Sequence, residues 1–255
     1  MIREKFDLNG KVSLVTGSTK GIGLGIVQAL AEFGSNVIVV SRHLTECQSI
    51  AKKIKIKYGV SAQSFECDVT VDKNVSDLLN FVLDKFGKVD VLVNNVGKAI
   101  TKKAEDVTYE EYKDIIEVNL NSIYLMCHRF GRQMIKQKYG KIINISSIFG
   151  EVVEKQILPY NVSKGGVNQL TKSLALEWAK YNIYVNAIAP AYILTELNKN
   201  IIEEEKVKKH LLNKTPLKRF GSIDEVASVA VFLASDASSY IIGQVIPVDG
   251  GWLIT

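Results

Sequence analysis

No apolar run in these 255 residues approaches the roughly 18 needed to span a bilayer. The start, Met1-Ile2-Arg3-Glu4-Lys5-Phe6-Asp7, also lacks the uninterrupted apolar stretch of a secretory signal. A soluble, cytoplasmic protein is expected. Cysteine is scarce: Cys47, Cys67 and Cys127 are widely spaced, odd in number and without Cys-x-x-Cys, which argues against a disulfide framework or a zinc site and for reduced, structural thiols. The three histidines, His43, His128 and His210, show no ligand spacing, so no metal site is expected. Charge of one sign is not concentrated either. Lys and Arg number 32 against 27 Asp and Glu, an excess that suits an anionic cofactor but is too diffuse for nucleic acid. No internal repeat or low-complexity linker divides the chain, and its length suits one large domain over residues 1–255.

What is present is alternation. Short β-branched runs at Val12–Thr16, Asn36–Val40, Ala62–Glu66, Val89–Val93, Lys141–Ile145, Ile183–Ile188 and Gln244–Val248 are separated by longer stretches of helical period. This predicts an α/β fold, a doubly wound, seven-stranded parallel sheet of Rossmann type with helices on both faces and ligands at the strand carboxyl ends. The long irregular stretch from Pro190 to Pro216 carries a charged, helical segment around Ile201–Leu212. A substrate lid is expected at about 191–215.

Directly after the first strand comes Thr16-Gly17-Ser18-Thr19-Lys20-Gly21-Ile22-Gly23, then an amphipathic helix. Glycines at a strand-to-helix turn let backbone approach a ligand closely, and the free N–H groups of the helix start attract a pyrophosphate. Gly17 through Gly23 are therefore candidate cofactor contacts. A carboxylate at the end of the second strand would bind the ribose 2′-hydroxyl of NAD. The chain has Ser41-Arg42-His43 there instead. With Lys20 in the glycine loop, Arg42 and Ser41 suit a 2′-phosphate, which predicts NADP(H).

Tyr160 and Lys164 share a helix face at i and i+4, and Ser147 lies thirteen positions before Tyr160. An ammonium beside the phenol favours its ionised form, so the pair reads as a proton donor and acceptor working near neutral pH. Ser147 is then the hydroxyl that polarises a carbonyl, with its neighbour Ser146 structural or accessory. A second Tyr-x-x-x-Lys, Tyr109 with Lys113, lies in a charged run, and the position thirteen before it is Val96, so it reads as a solvated helix face.

The Gly-x-x-x-Gly-x-Gly spacing resembles the short-chain dehydrogenase/reductase family when taken with Asn94-Asn95-Val96-Gly97, Ser147, Tyr160, Lys164, Pro190-Ala191-Tyr192-Ile193-Leu194-Thr195 and Asp249-Gly250-Gly251. The likeness spans essentially the whole chain. Val96 stands where the family usually has alanine, and Ala191 where it usually has glycine. The resemblance implies hydride transfer between nicotinamide and a ketone or secondary alcohol. It makes Asn119 the helix asparagine that holds a water beside Lys164, with Asn121 close enough to be confused with it, and gives Lys164 a second role on the nicotinamide ribose. It puts Asp68 and Val69 at the adenine, although Asp68 could equally cap the following turn. It sets Asn95, Val96 and Gly97 along the cofactor, and Pro190, Ile193 and Thr195 near the nicotinamide.

It further implies a homotetramer. The apolar face of the late helix (Val226, Ala227, Ala230, Val231, Leu233, Ala234) and the tail Trp252-Leu253-Ile254 are compatible with subunit contacts. For the substrate, Glu151 and the stretches Glu177–Ile183 and Asn186–Pro190 look most like the gluconate 5-dehydrogenase and polyol dehydrogenase branch. Glu154 stands where that branch tends to carry a base, and Ile148, Phe149, Val152, Val153, Ile157 and Leu158 offer apolar surface to a less charged ketone. A 3-oxoacyl-thioester reductase shares every motif quoted. A non-catalytic NADP(H)-sensing interaction protein is the rival from another class, and the intact Ser147, Tyr160, Lys164 and Asn119 set speaks against it.

Overall fold

The computed structural model describes residues 1–196, 199 and 204–255. Seven parallel strands, β1 (Val12–Thr16), β2 (Asn36–Ser41), β3 (Ala62–Glu66), β4 (Val91–Asn94), β5 (Gly140–Ile145), β6 (Ile183–Pro190) and β7 (Val245–Val248), form one sheet in the order β3-β2-β1-β4-β5-β6-β7. The order reverses between β1 and β4, opening the crevice where such sheets bind ligands. The helices are α1 (Gly21–Glu32), α2 (Leu44–Tyr58), α3 (Asp72–Phe86), α4 (Tyr109–Ile116), α5 (Ser122–Gln137), α6 (Leu158–Trp178), α7 (Glu205–Asn213) and α8 (Ile223–Ala234).

Alternate residues of each strand feed opposite faces, as a period of two requires. Val15, Val37, Val39, Val91, Val93, Ile143 and Ile145 pack against α1, α2 and α8. Leu14, Ile38, Val40, Leu92, Ile142 and Val185 pack against α3, α5 and α6. The inner strands are therefore apolar on both sides, which is why they read as continuous hydrophobic runs. The outer strand β3 is only partly buried, and its sequence Ala62-Gln63-Ser64-Phe65-Glu66 is correspondingly mixed.

Strand boundaries differ little from expectation, and two differences have clear causes. β4 starts at Val91 rather than Val89 because the Val89 amide donates to the Gln137 side chain at 3.2 Å, outside the ladder. β6 continues two residues beyond Ile188 because Ala189 and Pro190 keep register with Pro247 and Val248 of β7.

The expected helix at Ile201–Leu212 is found as α7, and of that segment residues 201–203 lie outside the described residues, as do 197, 198 and 200 of the expected lid. The late helix α8 corrects one expectation. Its face of Val226, Ala227, Ala230, Val231, Leu233 and Ala234 is buried in the chain's own core, because α8 docks beside α1 on the sheet. It is not left over for a subunit contact. Trp252 is likewise buried within the chain, while Ile254 is exposed. All three cysteines are free and buried, and burial pushes the Cys67 and Cys127 thiols up to about 12, which leaves them protonated and inert. Among the described residues no helix is long and apolar enough to cross a membrane.

Candidate active site

The β1–α1 turn is built around glycine. Gly17 has φ +63°, and a Cβ there would lie 3.1 Å from Asn95 Nδ2 and 3.2 Å from the Val96 side chain. At Gly23 a Cβ would meet Asn95 Nδ2 and the Gly17 carbonyl at 2.4 Å, so only hydrogen fits. Asn95 ties the turn to β4: its Nδ2 donates to the carbonyls of Thr16 (3.0 Å) and Gly17 (3.1 Å), and its amide donates to Thr16 Oγ1 (2.9 Å). Ser18 is spent internally. Its amide donates to the Val40 carbonyl, its hydroxyl donates to the Val15 carbonyl, and that oxygen accepts from the Val40 amide. Thr19 is partly buried and Lys20 exposed, and the α1 N-terminus opens beside them with Gly21 and Ile22 half-buried. A Cβ on Gly21 would lie 3.9 Å from Thr195 Cγ2, in van der Waals contact. Ile193 is anchored behind Thr195 by its bridge to Gly221, and Pro190 closes β6. The glycine turn and the α1 start without a side-chain cap fit the pyrophosphate of a dinucleotide.

At the ends of β2 and β3, Arg42 is exposed. The Ser41 hydroxyl is already engaged, accepting from the His43 amide (3.1 Å) and sharing a hydrogen bond with Cys47 Sγ (3.1 Å). Asp68 caps its turn, accepting from Thr70 N and Oγ1 at 3.0 and 2.7 Å, which was the alternative reading of this residue. Those bonds from Thr70, with a smaller pull from Arg42, hold its carboxyl below the usual range. Val69 is buried in the core.

Ser147, Tyr160, Lys164 and Asn119 come together at the carboxyl ends of β4 and β5. Ser147 leaves β5 in extended conformation, and its oxygen accepts from the Phe149 amide at 3.2 Å. Ser146 points away to Asn168 Oδ1 at 2.6 Å, a structural role. Lys164 is 3% exposed, its Nζ donating to the Ile145 carbonyl at 2.7 Å and lying 5.5 Å from the centre of the Tyr160 ring. Asn119 sits in a π-helical segment, Glu117–Asn121, between α4 and α5, an irregularity frequent at functional sites. Its Nδ2 donates to the Lys98 carbonyl (2.8 Å) and Ser163 Oγ (3.1 Å), while its Oδ1 accepts from the Lys98 amide (2.8 Å). Asn121 instead bonds Glu117 at the surface. Gly97 lies between the groups: a Cβ there would be 3.5 Å from Asn119 Oδ1 and 3.6 Å from Lys164 Nζ. Tyr109 and Lys113 stack on the solvent side of α4, far more open than the Tyr160 pair.

One electrostatic expectation is corrected. Burial raises the Tyr160 phenol above its ordinary value, and the opposing pull comes from the Ser147 hydrogen bond rather than from Lys164. The reason is that Lys164 is itself desolvated. Its ammonium is pushed down to about 8, and its nearest acceptor is a main-chain carbonyl.

Of the apolar wall around Tyr160, the sequence marks Ile148, Phe149 and Ile157, but not Tyr192 or Leu211. Tyr160 packs with Phe149, Ile157, Tyr192, Leu211 and Trp252. Tyr192 sits edge-on to Phe149 at 6.1 Å and against Trp252 at 5.3 Å between ring centres. Trp252 is held there by the Asp249-Gly250-Gly251 turn, whose two glycines have positive φ and whose Asp249 carboxylate accepts from the amides of Gly251 and Leu253. Ser163 also went unnoticed; it accepts from Asn119 and donates to the Tyr160 carbonyl at 2.8 Å. The sequence signal for both was available only as a serine one turn after Tyr160 and a tryptophan after a double glycine.

The fold is that of a Rossmann-type protein, with the glycine turn at the switch point of the sheet. Residues 17–253 match the sequence profile of a family described as enoyl-(acyl carrier protein) reductase. The chain is 40% identical over 252 residues to the 2-dehydro-3-deoxy-D-gluconate 5-dehydrogenase of Bacillus subtilis (strain 168), covering 99% of this chain and 98% of the relative. It is 39% identical over 244 residues to the 3-oxoacyl-[acyl-carrier-protein] reductase FabG of Aquifex aeolicus (strain VF5), covering 96% and 98%. The crystal structure of a gluconate 5-dehydrogenase from Burkholderia cenocepacia J2315 in complex with NADP and tartrate matches with a TM-score of 0.95 at 33% identity, covering 99% of this chain and 98% of that one. The chain belongs to the short-chain dehydrogenase/reductase family of oxidoreductases.

Proposed function

We propose that the chain is an NADP(H)-dependent ketone reductase and secondary-alcohol dehydrogenase in which Tyr160 is the general acid and base. The observation that carries this is the meeting of Tyr160 and Lys164 beside Ser147 at the strand ends, with the Lys164 ammonium 5.5 Å from the phenol ring and Ser147 lowering the phenol's proton affinity. A substrate oxygen between Ser147 and Tyr160 receives two hydrogen bonds, which polarise the carbonyl. Tyr160 then donates its proton to that oxygen, and in the reverse direction takes it back from the alcohol. The cofactor, when bound, supplies the hydride from nicotinamide C4. Lys164, whose ammonium lies beside Gly97, binds the nicotinamide ribose in this reading. Asn119 is a positioning residue, bracing Lys98 directly and the first turn of α6 through Ser163.

NADP(H) over NAD(H) is supported by exposed Arg42 and Lys20 at the adenosine end and by a relative crystallised with NADP. In this reading Gly17 to Gly23 hold the pyrophosphate, Arg42 the 2′-phosphate, and Pro190, Ile193 and Thr195 the nicotinamide. Val69 and Asp68 border the adenine. The residues around 191–215 act as the lid of a single domain, since α7 packs Leu211 and Val207 onto the apolar cluster that holds Tyr160. The protein is cytoplasmic and a homotetramer, for which α6 offers exposed Val162 and Leu176 and the tail offers Ile254.

Steady oxidation of NADPH in the presence of a panel of ketones tests the activity. Tight NADPH binding with no turnover of any ketone would instead support a sensor. A second reading, reduction of a 3-oxoacyl thioester, is favoured by the 39% identity to the Aquifex aeolicus reductase, and an acetoacetyl thioester belongs in the panel.

A further inference from the structure

Glu154 and Lys214 form an ion pair at the edge of the apolar wall. Glu154 Oε2 lies 3.0 Å from Lys214 Nζ, joining the segment after β5 to the end of α7. Lys214 Nζ lies 5.4 Å from the centre of a Trp252 ring, and Trp252 leads through Tyr192 to Phe149. On the other side Asn161, next to Tyr160, donates from Nδ2 to the Glu154 main-chain carbonyl at 2.9 Å. The pair therefore spans the rim of the wall that faces the reacting groups. The Glu154 carboxyl is held below its ordinary value by the Lys155 amide, then by Lys214, with His210 adding a weaker pull, so it stands as a carboxylate at neutral pH.

We propose that this pair selects uncharged ketones by neutralising the cation that a substrate carboxylate would need. The inference deepens the oxidoreductase reading above and rests on it. A carboxylate arriving at the rim finds the Lys214 ammonium already engaged by Glu154 at 3.0 Å, and like charges at close range repel. The remaining wall of Phe149, Ile157, Tyr192, Leu211 and Trp252 is aromatic and aliphatic. It rewards an apolar substrate body and leaves the hydroxyls of a sugar acid unpaired. A structural purpose alone does not account for the pair. Lys214 and Glu154 are 42% and 28% exposed, and ion pairs this open to water contribute little to stability. That openness also makes the two side chains replaceable without loss of the fold. The consequence separates this chain from relatives that, by name, act on gluconate or its derivatives.

The test uses two probes of equal reach, 4-oxopentanoate and its uncharged methyl ester, added to the full-length protein with NADPH bound. Binding is read by quenching of tryptophan fluorescence, since Trp252 contacts the pair, and turnover is read by NADPH oxidation. In the wild type the ester binds at least about tenfold more tightly than the acid. Glu154→Gln strengthens binding of the acid at least about tenfold and leaves the ester within about twofold, because Lys214 is then unneutralised. Lys214→Met weakens the acid further and again spares the ester. These opposite signs are what a merely structural brace cannot produce. Equal affinity of the wild type for acid and ester overturns the proposal, as does a shift of both probes together in both variants, or binding of neither probe. A charge-dependent split in binding without any NADPH oxidation sinks the redox reading and leaves the charge selection standing. Oxidation without the split sinks the charge selection alone.

Discussion

The Lys164 ammonium lies 5.5 Å from the centre of the Tyr160 ring yet gives its short hydrogen bond, 2.7 Å, to the main-chain carbonyl of Ile145. The phenol's proton affinity in the structure is set by burial, which raises it, and by the Ser147 hydrogen bond, which lowers it. Removing that hydrogen bond therefore has a signed consequence. Ser147→Ala raises the Tyr160 pKa further, so the rise of alcohol oxidation with pH, which needs the phenolate, moves to higher pH. Tyr160→Phe abolishes the proton donor and lowers turnover by at least about 10²-fold with NADPH affinity nearly unchanged. A pH–rate profile of Ser147→Ala that coincides with wild type in midpoint would remove Ser147 from the proton step.

Lys141 provides a separate test of burial. It is 1% exposed on β5, with its Nζ 3.9 Å from the centre of the Tyr184 ring and 3.3 Å from Ser238 Oγ. Burial, opposed by Asp236, pushes it down to about 8. Its folded pKa is thus below the unfolded value near 10.5, so the unfolded chain binds more protons between those limits. Stability from this group is present above pH 10.5 and is lost as pH falls through about 8. At pH 7 the buried charge costs on the order of 3 kcal/mol, offset by about 1–2 from the cation–π contact. Lys141→Met should therefore gain about 1–2 kcal/mol in urea unfolding at pH 7, and the gain should shrink between pH 8 and 10.5. A gain independent of pH would refute the assignment to charge burial.

Strands and the candidate site were legible because both are local patterns. Val12–Thr16 is found as read, since a strand buried on both faces advertises itself in consecutive residues, and Ala62–Glu66 has the expected bounds although it is only partly buried. Tyr160 and Lys164 share a face by spacing alone, and Ser147 is reached by one β–α step. What escaped was long range in sequence. The Glu154–Lys214 pair spans 60 residues, and the Asn119–Ser163 bond spans 44. No periodicity encodes such partners. The late helix misled for a related reason. An apolar face shows that something covers it, and only the docking of α8 beside α1 shows that the cover is the chain itself.

Gly23 has no room for a side chain. A Cβ would fall 2.4 Å from both Asn95 Nδ2 and the Gly17 carbonyl, and neither is the end of a flexible chain, since Asn95 Nδ2 is held by two carbonyls. Gly23→Ala must displace the brace that joins the glycine turn to β4. Overpacking of this kind costs about 1–3 kcal/mol. The expected result is a lower melting temperature together with weaker NADPH binding, whereas Gly59→Ala, with positive φ but open space around it, lowers stability and spares NADPH. Loss of stability in Gly23→Ala with unaltered cofactor affinity would separate the turn from the cofactor.

The proposed coenzyme choice turns on Arg42. The end of β2 holds no carboxylate, and the Ser41 hydroxyl is occupied by His43 and Cys47, so discrimination falls mainly to the exposed guanidinium. Asp68 is near enough for Arg42 to lower its carboxyl, but that carboxylate is satisfied by Thr70, leaving the guanidinium able to turn toward a 2′-phosphate. A charge-assisted hydrogen bond to phosphate contributes about 1.5–3 kcal/mol, and exposure to water favours the lower end of that range. Arg42→Ala should therefore weaken NADPH by roughly ten- to thirtyfold, on that free-energy scale, and leave NADH within about twofold. Added salt should weaken NADPH in the wild type more than in the variant, because the lost contact is ionic. Lys20→Ala should act in the same direction and less strongly, since its side chain stands free at the start of α1. Dissociation constants for both coenzymes, measured at two salt concentrations, decide the matter: parallel shifts of NADPH and NADH, or a wild type that binds NADH more tightly, would take the 2′-phosphate away from Arg42.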